Sequence, residues 1–254
     1  MASLDDLVRP SEYPRSSTYD PAWVVSLDMG PHPLWLLEDL CRDLTLEAGM
    51  RVLDLGSGRG ATSVFLAREF GVEVFAADLW VEAGDAQRVF DDAGVGERVH
   101  AVRTDARSLP FAPGYFDAVV SVDAFEYFGT DVHYLPYLIS FLKPGGRVGV
   151  ATPSLTKEVA GLGGIPDHVA RCVGWEALAW HTPDWWRAHW ELTGLVEVVS
   201  ARHQPGAWES WLLWSRVLQS CTDDAEGAIG TSIDMLEADG GDLLSFALVV
   251  ARKL

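Results

Sequence analysis

The chain has 254 residues, of which 48% are hydrophobic, and this is enough for one large domain with a buried core. Its formal net charge is −18, and a surface this acidic repels both nucleic acids and anionic membranes. No apolar run approaches the roughly 18 residues needed to cross a bilayer. We therefore expect neither partner and favour a small substrate that is neutral or cationic.

The first 30 residues show no helical or strand period, but they contain several aromatic residues and prolines. Residues 13–16 read Tyr-Pro-Arg-Ser, and residues 19–21 read Tyr-Asp-Pro. This composition predicts an ordered arm over residues 1–30, which either packs on the domain or closes as a lid over a bound ligand. The leucine spacing in residues 34–44 then predicts an amphipathic helix.

A strand, a glycine turn and a helix follow, and the rest of the chain is organised around them. Residues 52–55 form a short apolar run typical of a buried strand, and Gly56, Gly58 and Gly60 come directly after it. Glycines let a ligand approach the backbone, and free N–H groups at a helix start can bind a nucleotide-like molecule. The carboxylate of Asp54 would repel a pyrophosphate at this place and attract a cation. The spelling Gly-x-Gly-x-x-Ala also fits the relaxed dinucleotide fingerprint, so the glycines alone leave the nucleotide open.

The next strand along the chain adds an acidic residue at its end, and a third strand follows it. Residues 72–78 predict a strand ending in Asp78, which follows Gly60 by 18 residues and is placed to accept hydrogen bonds from ribose hydroxyls. Leu79 and Trp80 are placed to flank an adenine. After a helix over 85–93, residues 99–103 predict a third strand.

The later elements continue the alternation of strands and helices. Strands are predicted over 116–122, 148–151, 195–199 and 243–250, and helices over 131–142, 182–194 and 207–220, with a weaker helical stretch to residue 239. In the helix over 182–194, Thr182 is the expected cap, Pro183 lies in the first turn, and Gly194 is the expected end.

Three strings taken together resemble the class I S-adenosylmethionine-dependent methyltransferases. They are Asp-Leu-Gly-Ser-Gly-Arg-Gly at 54–60, Thr-Asp-Ala-Arg-Ser-Leu-Pro-Phe at 104–111 and Leu-Lys-Pro-Gly-Gly at 142–146. The resemblance implies an α/β fold with a Rossmann-like, doubly wound sheet of seven strands, the last antiparallel, and S-adenosylmethionine as the cofactor. It also implies that Asp105 and the amide of Ala106 contact the adenine.

Residues outside this core resemble a narrower bacterial group that is loosely described as similar to cyclopropane fatty acid synthases. The likeness lies in residues 13–16, 19–21, 123–131 and 185–190. The position of Glu126 is often histidine in that group, and this departure leaves the identity of a general base open. We expect a single methyltransferase domain over 1–254, with an arm or lid at 1–30 and a substrate-covering insertion at 152–194.

Eight of the 11 tryptophans lie between Trp175 and Trp214. They form either the packed core of a tryptophan-rich helical cap or an aromatic wall for an aromatic or cationic substrate. Candidate catalytic residues near the expected mouth are Glu126, His168 and His181, with His133 as a further histidine. The candidate cofactor-binding residues are Tyr19, Asp54, Gly56, Ser57, Gly58, Gly60, Asp78, Leu79, Trp80, Asp105, Ala106 and Asp123.

Metal dependence is not expected, because the seven histidines lack ligand spacing and the three cysteines lie far apart. The odd number of cysteines and the acidic start, with no secretory signal, favour reduced thiols and a cytoplasmic location. The favoured activity is methyl transfer from S-adenosylmethionine to an N, O or S atom of a small molecule, with carbon less favoured. The alternatives are a lipid cyclopropane or methyl synthase, an NAD-dependent dehydrogenase, and a non-catalytic nucleotide-binding protein.

Overall fold

A computed structural model describes residues 8–221 and 227–254. The strands are β1 Arg51–Leu55, β2 Glu73–Asp78, β3 Val99–Arg103, β4 Phe116–Val122, β5 Leu142–Leu155, β6 Val196–His203 and β7 Leu244–Lys253. The helices are α1 Pro21–Ser26, α2 Pro33–Leu40, α3 Ala61–Phe70, α4 Ala83–Asp92, α5 Tyr134–Ser140, α6 Val159–Leu162, α7 Asp167–Val173, α8 Pro183–Glu191, α9 Ala207–Cys221 and α10 Ala228–Asp239. Short 3₁₀ turns span Ser16–Thr18, Phe125–Tyr127 and Gly174–Ala179.

The seven strands form one sheet in the order β3-β2-β1-β4-β5-β7-β6. β1 to β5 pair in parallel, and β7 is antiparallel to both β5 and β6. The predicted doubly wound sheet with an antiparallel last strand is confirmed. Because β1, β2, β3 and β4 are parallel, the segments that follow them all leave the same edge of the sheet.

Residues alternate between the two faces of the sheet, as the pleat of a strand requires. Val52, Val74 and Val120 belong to a core shared with helices α2, α3 and α4, and with α9 and α10 further along the sheet. Leu53 and Val119 belong to a second core with α5 and α8. Since both faces are covered, the central strands are mostly apolar.

The local sequence determines where helix α8 begins and ends. The hydroxyl of Thr182 accepts a hydrogen bond from the backbone N–H of Trp185 at 3.2 Å, and Pro183 occupies the first turn. The helix ends at Glu191, and Gly194 adopts a left-handed φ of +67° two residues after the cap. Thr182 is therefore the N-cap residue of α8, as predicted.

The amino-terminal arm packs on helix α2. Glu38 is buried and accepts hydrogen bonds from the backbone N–H groups of Arg15 and Ser16 at 3.0 and 2.7 Å. The hydroxyl of Tyr13 donates to Asp39 at 3.2 Å. These contacts agree with the first of the two predicted roles, an arm packed on the domain. Residues 1–7 of the predicted arm lie outside the described residues.

The predicted insertion at 152–194 divides into three parts. Residues 152–155 are the end of β5, and α8 packs against one face of the sheet in the same core as β6. Between them, α7 packs beside α10, where His168 Nε2 lies 3.2 Å from Asp239 Oδ1. Only the residues between the end of β5 and the start of α8 are therefore inserted into the alternation of strands and helices.

Within the described ranges, no helix is both long and apolar enough to span a bilayer.

Candidate active site

A cavity of about 360 Å³ opens at the edge of the sheet where β1, β2 and β4 end. Nine of the predicted cofactor-binding residues line it, namely Gly56, Ser57, Gly58, Asp78, Leu79, Trp80, Asp105, Ala106 and Asp123. Its volume lies within the range of small-molecule sites. The ends of parallel strands bring together residues that are 67 positions apart in the sequence.

The glycine turn forms the floor of this cavity, and most of its backbone N–H groups donate hydrogen bonds to acceptors within the protein. The N–H groups of Gly56 and Ser57 donate to Ala77 O at 2.8 and 3.2 Å, and Gly58 N–H donates to Asp78 Oδ2 at 2.9 Å. The expectation of free amide donors is therefore corrected at these three positions. Gly56 and Gly58 carry no side chains, so a ligand can lie close to the backbone of the turn.

Gly60 directly precedes helix α3 as its N-cap and does not line the cavity. A Cβ atom at this position would lie 2.3 Å from Cε1 of Phe90, and its φ is +98°. The residue has to be glycine because helix α4 approaches it closely, which is a packing reason and not a ligand contact.

Asp54 is 1% exposed and also lies behind the cavity wall. Its Oδ2 atom accepts hydrogen bonds from the hydroxyls of Thr62 and Ser63 at 2.7 and 2.6 Å. Among the described residues, Oδ1 has no hydrogen-bond partner. Burial raises the pKa of Asp54 to about 6 against the lowering effect of both hydroxyls. The predicted direct contact with a cationic ligand is corrected, because this carboxylate holds the first turn of α3.

Asp78 organises the next part of the wall. Besides its bond from Gly58, it accepts hydrogen bonds at Oδ1 from the N–H groups of Trp80 and Val81, at 2.7 and 3.0 Å. It therefore ties the turn after β2 to the turn after β1. A carboxylate oxygen has more than one lone pair, so acceptor capacity remains for a hydroxyl in the cavity.

Positive charge at the cavity wall comes from two arginines, and both point to protein acceptors. Arg59 donates to Ser26 O at 3.3 Å, and Arg107 donates to Tyr127 O at 2.8 Å. Arg107 also pairs with Asp105 at 3.6 Å. A pyrophosphate would need free cationic donors, whereas a cationic ligand without phosphate fits three lining carboxylates. The donor set thus suits S-adenosylmethionine, which carries an ammonium and a sulfonium.

One end of the cavity is strongly acidic. Asp123 lines it directly, and Asp28 and Glu126 lie close enough to act on Asp123 through their charges. Burial and these two neighbours raise the pKa of Asp123 well above its ordinary range. Glu126 is itself buried behind the wall, where its Oε2 accepts a hydrogen bond from Thr152 at 2.8 Å. The carboxylate of Glu126, which was predicted to be catalytic, therefore does not line the cavity.

The two predicted catalytic histidines do not line this cavity. His168 joins α7 to α10, as described above, and His181 Nδ1 lies 2.8 Å from Glu158 Oε2 while its ring stacks on Trp185 at 3.6 Å. The ring of His168 thus contacts α10, and the ring of His181 makes contacts within the insertion. A direct catalytic role for either has no geometric support.

Tyr19 and the tryptophan cluster also lie away from the cavity. Tyr19 donates to Glu69 at 3.1 Å and stacks on Trp23. Trp186, Trp190 and Trp214 are fully buried, and none of the eight clustered tryptophans lines the cavity. The packing role applies to these residues, and the predicted aromatic wall is not formed at this site.

Sequence reasoning missed two parts of the wall. The end of the arm and the residue after it reach the cavity through Leu27, Met29, Gly30 and Pro31, and Tyr127 makes an edge contact with Trp80 at 5.5 Å. The Gly-Pro pair at 30–31 signals a turn. Tyr127 could have been found from its place in the segment after β4.

Comparison with known proteins agrees with this geometry. Residues 52–146, from β1 into β5, match the model of the methyltransferase domain family. The chain carries a class I methyltransferase domain. The predicted class is confirmed, while the narrower bacterial group stays a prediction.

Two curated relatives and one solved structure show how far the likeness extends. The 27-O-demethylrifamycin SV methyltransferase of Amycolatopsis mediterranei is 29% identical over 63% of this chain and 59% of its own length. The demethylmenaquinone methyltransferase of Clavibacter sepedonicus is 36% identical over 52% of each protein. The chain thus spans between half and three fifths of these relatives.

The solved structure is phosphoethanolamine N-methyltransferase 2 of Haemonchus contortus with phosphomonomethylethanolamine and S-adenosylhomocysteine. It aligns with a TM-score of 0.73 and 19% identity over all of this chain and 60% of that one. At this identity the likeness concerns the fold of the methyltransferase domain.

The burial of Glu126 makes the stability of the methyltransferase domain depend on pH. Burial raises the pKa of Glu126 from 4.5 to about 7, so between these values the folded chain holds a proton that the unfolded chain has lost. The free energy of unfolding therefore falls as pH rises through this window. Glu126→Gln removes the titration, and we expect it to gain about 3 kcal/mol on the wild type between pH 4.5 and pH 8.

Urea unfolding at pH 4.5 and pH 8 measures this difference. Glu97→Gln, at an exposed position, is the matched control and is expected to follow the wild type at both pH values. Parallel changes in the wild type and Glu126→Gln would show that Glu126 is not buried as a protonated acid.

Proposed function

We propose that this chain transfers a methyl group from S-adenosylmethionine to an N, O or S atom of a small molecule, within the cytoplasm. The observation that carries the proposal is the cavity itself, with a glycine floor, three acidic wall residues and two arginines that are already engaged. S-adenosylmethionine supplies an electrophilic methyl group on a sulfonium.

The residues around the cavity have separate roles in this proposal. Gly56, Ser57 and Gly58 form the surface against which the amino-acid end of the cofactor lies. Asp78 accepts from the ribose, and the adenine lies among Leu79, Trp80, Asp105 and Ala106. Methyl transfer is an in-line displacement, so the main contribution of these residues is to hold the donor in one orientation and exclude water.

Calorimetric titration tests the cofactor, with S-adenosylhomocysteine and NAD as probes. Micromolar binding of S-adenosylhomocysteine and none of NAD is expected, and the reverse result would support the dehydrogenase alternative. Incubation with methyl-labelled S-adenosylmethionine and a metabolite extract then tests catalysis. Label in small molecules is expected; label in lipid would support the lipid synthase, and binding without transfer would support the non-catalytic alternative.

Asp78→Ala is expected to weaken S-adenosylhomocysteine binding by about 1–3 kcal/mol, which is the effect of losing a hydrogen bond to a charged group. The variant also releases the amides of Gly58, Trp80 and Val81, so the effect belongs in the upper part of this range. Calorimetry measures it, with Asp92→Ala on the exposed face of α4 as the control. Equal affinity in both variants would remove Asp78 from the site.

A further inference from the structure

Three acidic side chains line the cavity, and one of them differs from the other two. Asp78 accepts three backbone N–H groups, and Asp105 accepts the N–H of Arg107 at 2.8 Å. The carboxylate of Asp123 has no hydrogen bond or ion pair with any residue in the described part of the chain. Among the lining carboxylates of the described residues, it is thus the one without a partner in the protein.

The backbone holds Asp123 in an unusual conformation. Its φ is +53°, and no other described residue except glycine has a positive φ. The N–H of Asp123 donates to Ala151 O of β5 at 2.8 Å, which fixes this conformation. Aspartate and asparagine tolerate the left-handed region better than most residues, and such strain is concentrated at functional sites.

The arm approaches Asp123 from the other side. A Cβ atom at residue 30 would lie 2.5 Å from Asp123 Oδ2, so the carboxylate is packed against the bare backbone of Gly30. Its position is set by shape, since hydrogen bonds do not hold it. A carboxylate placed in this way keeps its lone pairs for the cavity.

The charges around Asp123 are mostly negative. Asp28 of the arm and Glu126 after β4 act on it directly, and Glu176 of the insertion acts on Glu126. The phenol of Tyr127 faces the same carboxylates, and the arginines of the wall, Arg59 and Arg107, donate to main-chain oxygens. This end of the cavity repels phosphates, carboxylates and phenolates and attracts an ammonium group.

We propose that Asp123 is the catalytic residue that takes a proton from an amine acceptor, and that Glu126 acts through it as a positioning residue. The acceptor is a small primary or secondary amine with an apolar body, because Met29, Val122 and Phe128 line the same cavity as Asp123. This inference rests on the proposed methyl transfer and assigns its substrate class.

The step is a proton transfer from the bound ammonium to the carboxylate. An N–H bond breaks, an O–H bond forms at Asp123, and the nitrogen keeps the electron pair. That lone pair is the nucleophile that the methyl transfer needs. The methylated product leaves as an ammonium ion, with two N–H bonds from a primary amine and one from a secondary amine, and Asp123 returns its proton to solvent.

Burial and the two neighbouring carboxylates raise the pKa of Asp123 well above its ordinary range, and a carboxylate with a raised pKa takes a proton from an ammonium more readily than an ordinary carboxylate does. Glu126 and Asp28 provide the neighbouring negative charge that contributes to this shift. Turnover is expected to rise with pH as Asp123 loses its proton, and Glu126→Gln is expected to move the midpoint of this rise to lower pH.

Binding of matched probes to the protein saturated with S-adenosylhomocysteine tests the substrate class. The probes are a panel of alkyl and arylalkyl amines and the alcohols and carboxylates with the same bodies, for example 2-phenylethylamine, 2-phenylethanol and 3-phenylpropanoate. Amines are expected to raise the melting temperature, and labelled products from extract are expected to bind a cation exchanger. If S-adenosylhomocysteine binds but no amine does, or if the labelled products are neutral or anionic, the amine assignment fails while the proposed function stands.

The variant Asp123→Asn tests the residue, because asparagine keeps the shape and tolerates the positive φ. Turnover of the best amine is expected to fall at least 100-fold, within the usual effect of a general base, while the affinity for S-adenosylhomocysteine changes less than twofold. Asp92→Asn on α4 is the matched control. If cofactor affinity falls and turnover holds, Asp123 binds the cofactor, as first predicted; if both fall with the melting temperature, its role is structural. Either result overturns the proposal.

Discussion

Replacing Gly56 with alanine is expected to weaken S-adenosylhomocysteine binding at least 100-fold and to lower the melting temperature. The residue has a φ of +75°, and a Cβ atom there would lie 2.3 Å from Cβ of Ala124. The left-handed conformation costs about 1–2 kcal/mol for an L-residue, and overpacking adds about 1–3 kcal/mol. Relief of the clash has to move either the glycine turn or the segment after β4, and both line the cavity.

Gly94→Ala separates these two causes. Gly94 has a similar φ of +70°, but nothing lies within 4 Å of the position that its Cβ would take. This control is expected to lose only about 1 kcal/mol of stability and to bind S-adenosylhomocysteine like the wild type. Calorimetry and thermal unfolding of both variants provide the comparison. Similar behaviour of the two variants would mean that the contact with Ala124 does not shape the cavity.

The parts of the fold that the sequence predicts best are those set by local pattern. The strands over 99–103 and 116–122 have the expected bounds because each is a short apolar or alternating run between polar segments. Gly56, Gly58 and Asp78 line the cavity for a similar reason. Once strands are parallel and adjacent, topology alone brings their ends together.

Strand β5 extends past its predicted end, and the reason is nonlocal. Thr152, Pro153 and Ser154 suggest the start of a loop, yet β5 continues to Leu155 because β7 pairs with it along this whole stretch. The pairing with β4 stops at Ala151, so the proline lies where β5 has a neighbour on one side only. Tertiary pairing has overridden local propensity here.

The misplaced site residues share a physical cause. Asp54, Glu126 and Tyr19 have the chemistry of ligand contacts, but their environment depends on segments far away in sequence. Thr62, Thr152 and Glu69 supply the hydrogen bonds that turn them away from the cavity. A single sequence shows which residues can bind a ligand, and only packing shows which of them can reach it.

The tryptophans illustrate the same limit, and Trp186 offers the strongest test of their role. It is fully buried in the core between α8 and the sheet, with its ring 5.6 Å from Phe125 and 5.0 Å from Trp185. Phe125 follows Ala124 in the segment after β4, so Trp186 supports the acidic end of the cavity from behind. We expect the truncation of Trp186 to have a larger effect on stability than on the cavity.

Trp186→Ala is expected to lower the free energy of unfolding by about 3 kcal/mol, at the lower end of the usual range for removing a buried tryptophan. The lower end applies because Trp186 Nε1 has no hydrogen-bond partner among the described residues, so truncation also removes a buried unsatisfied donor. Urea unfolding measures the loss. Trp175→Ala is the control, since that side chain is 79% exposed and should change stability by less than about 0.5 kcal/mol. Equal losses in the two variants would contradict the packing role and reopen the aromatic wall as the function of the cluster.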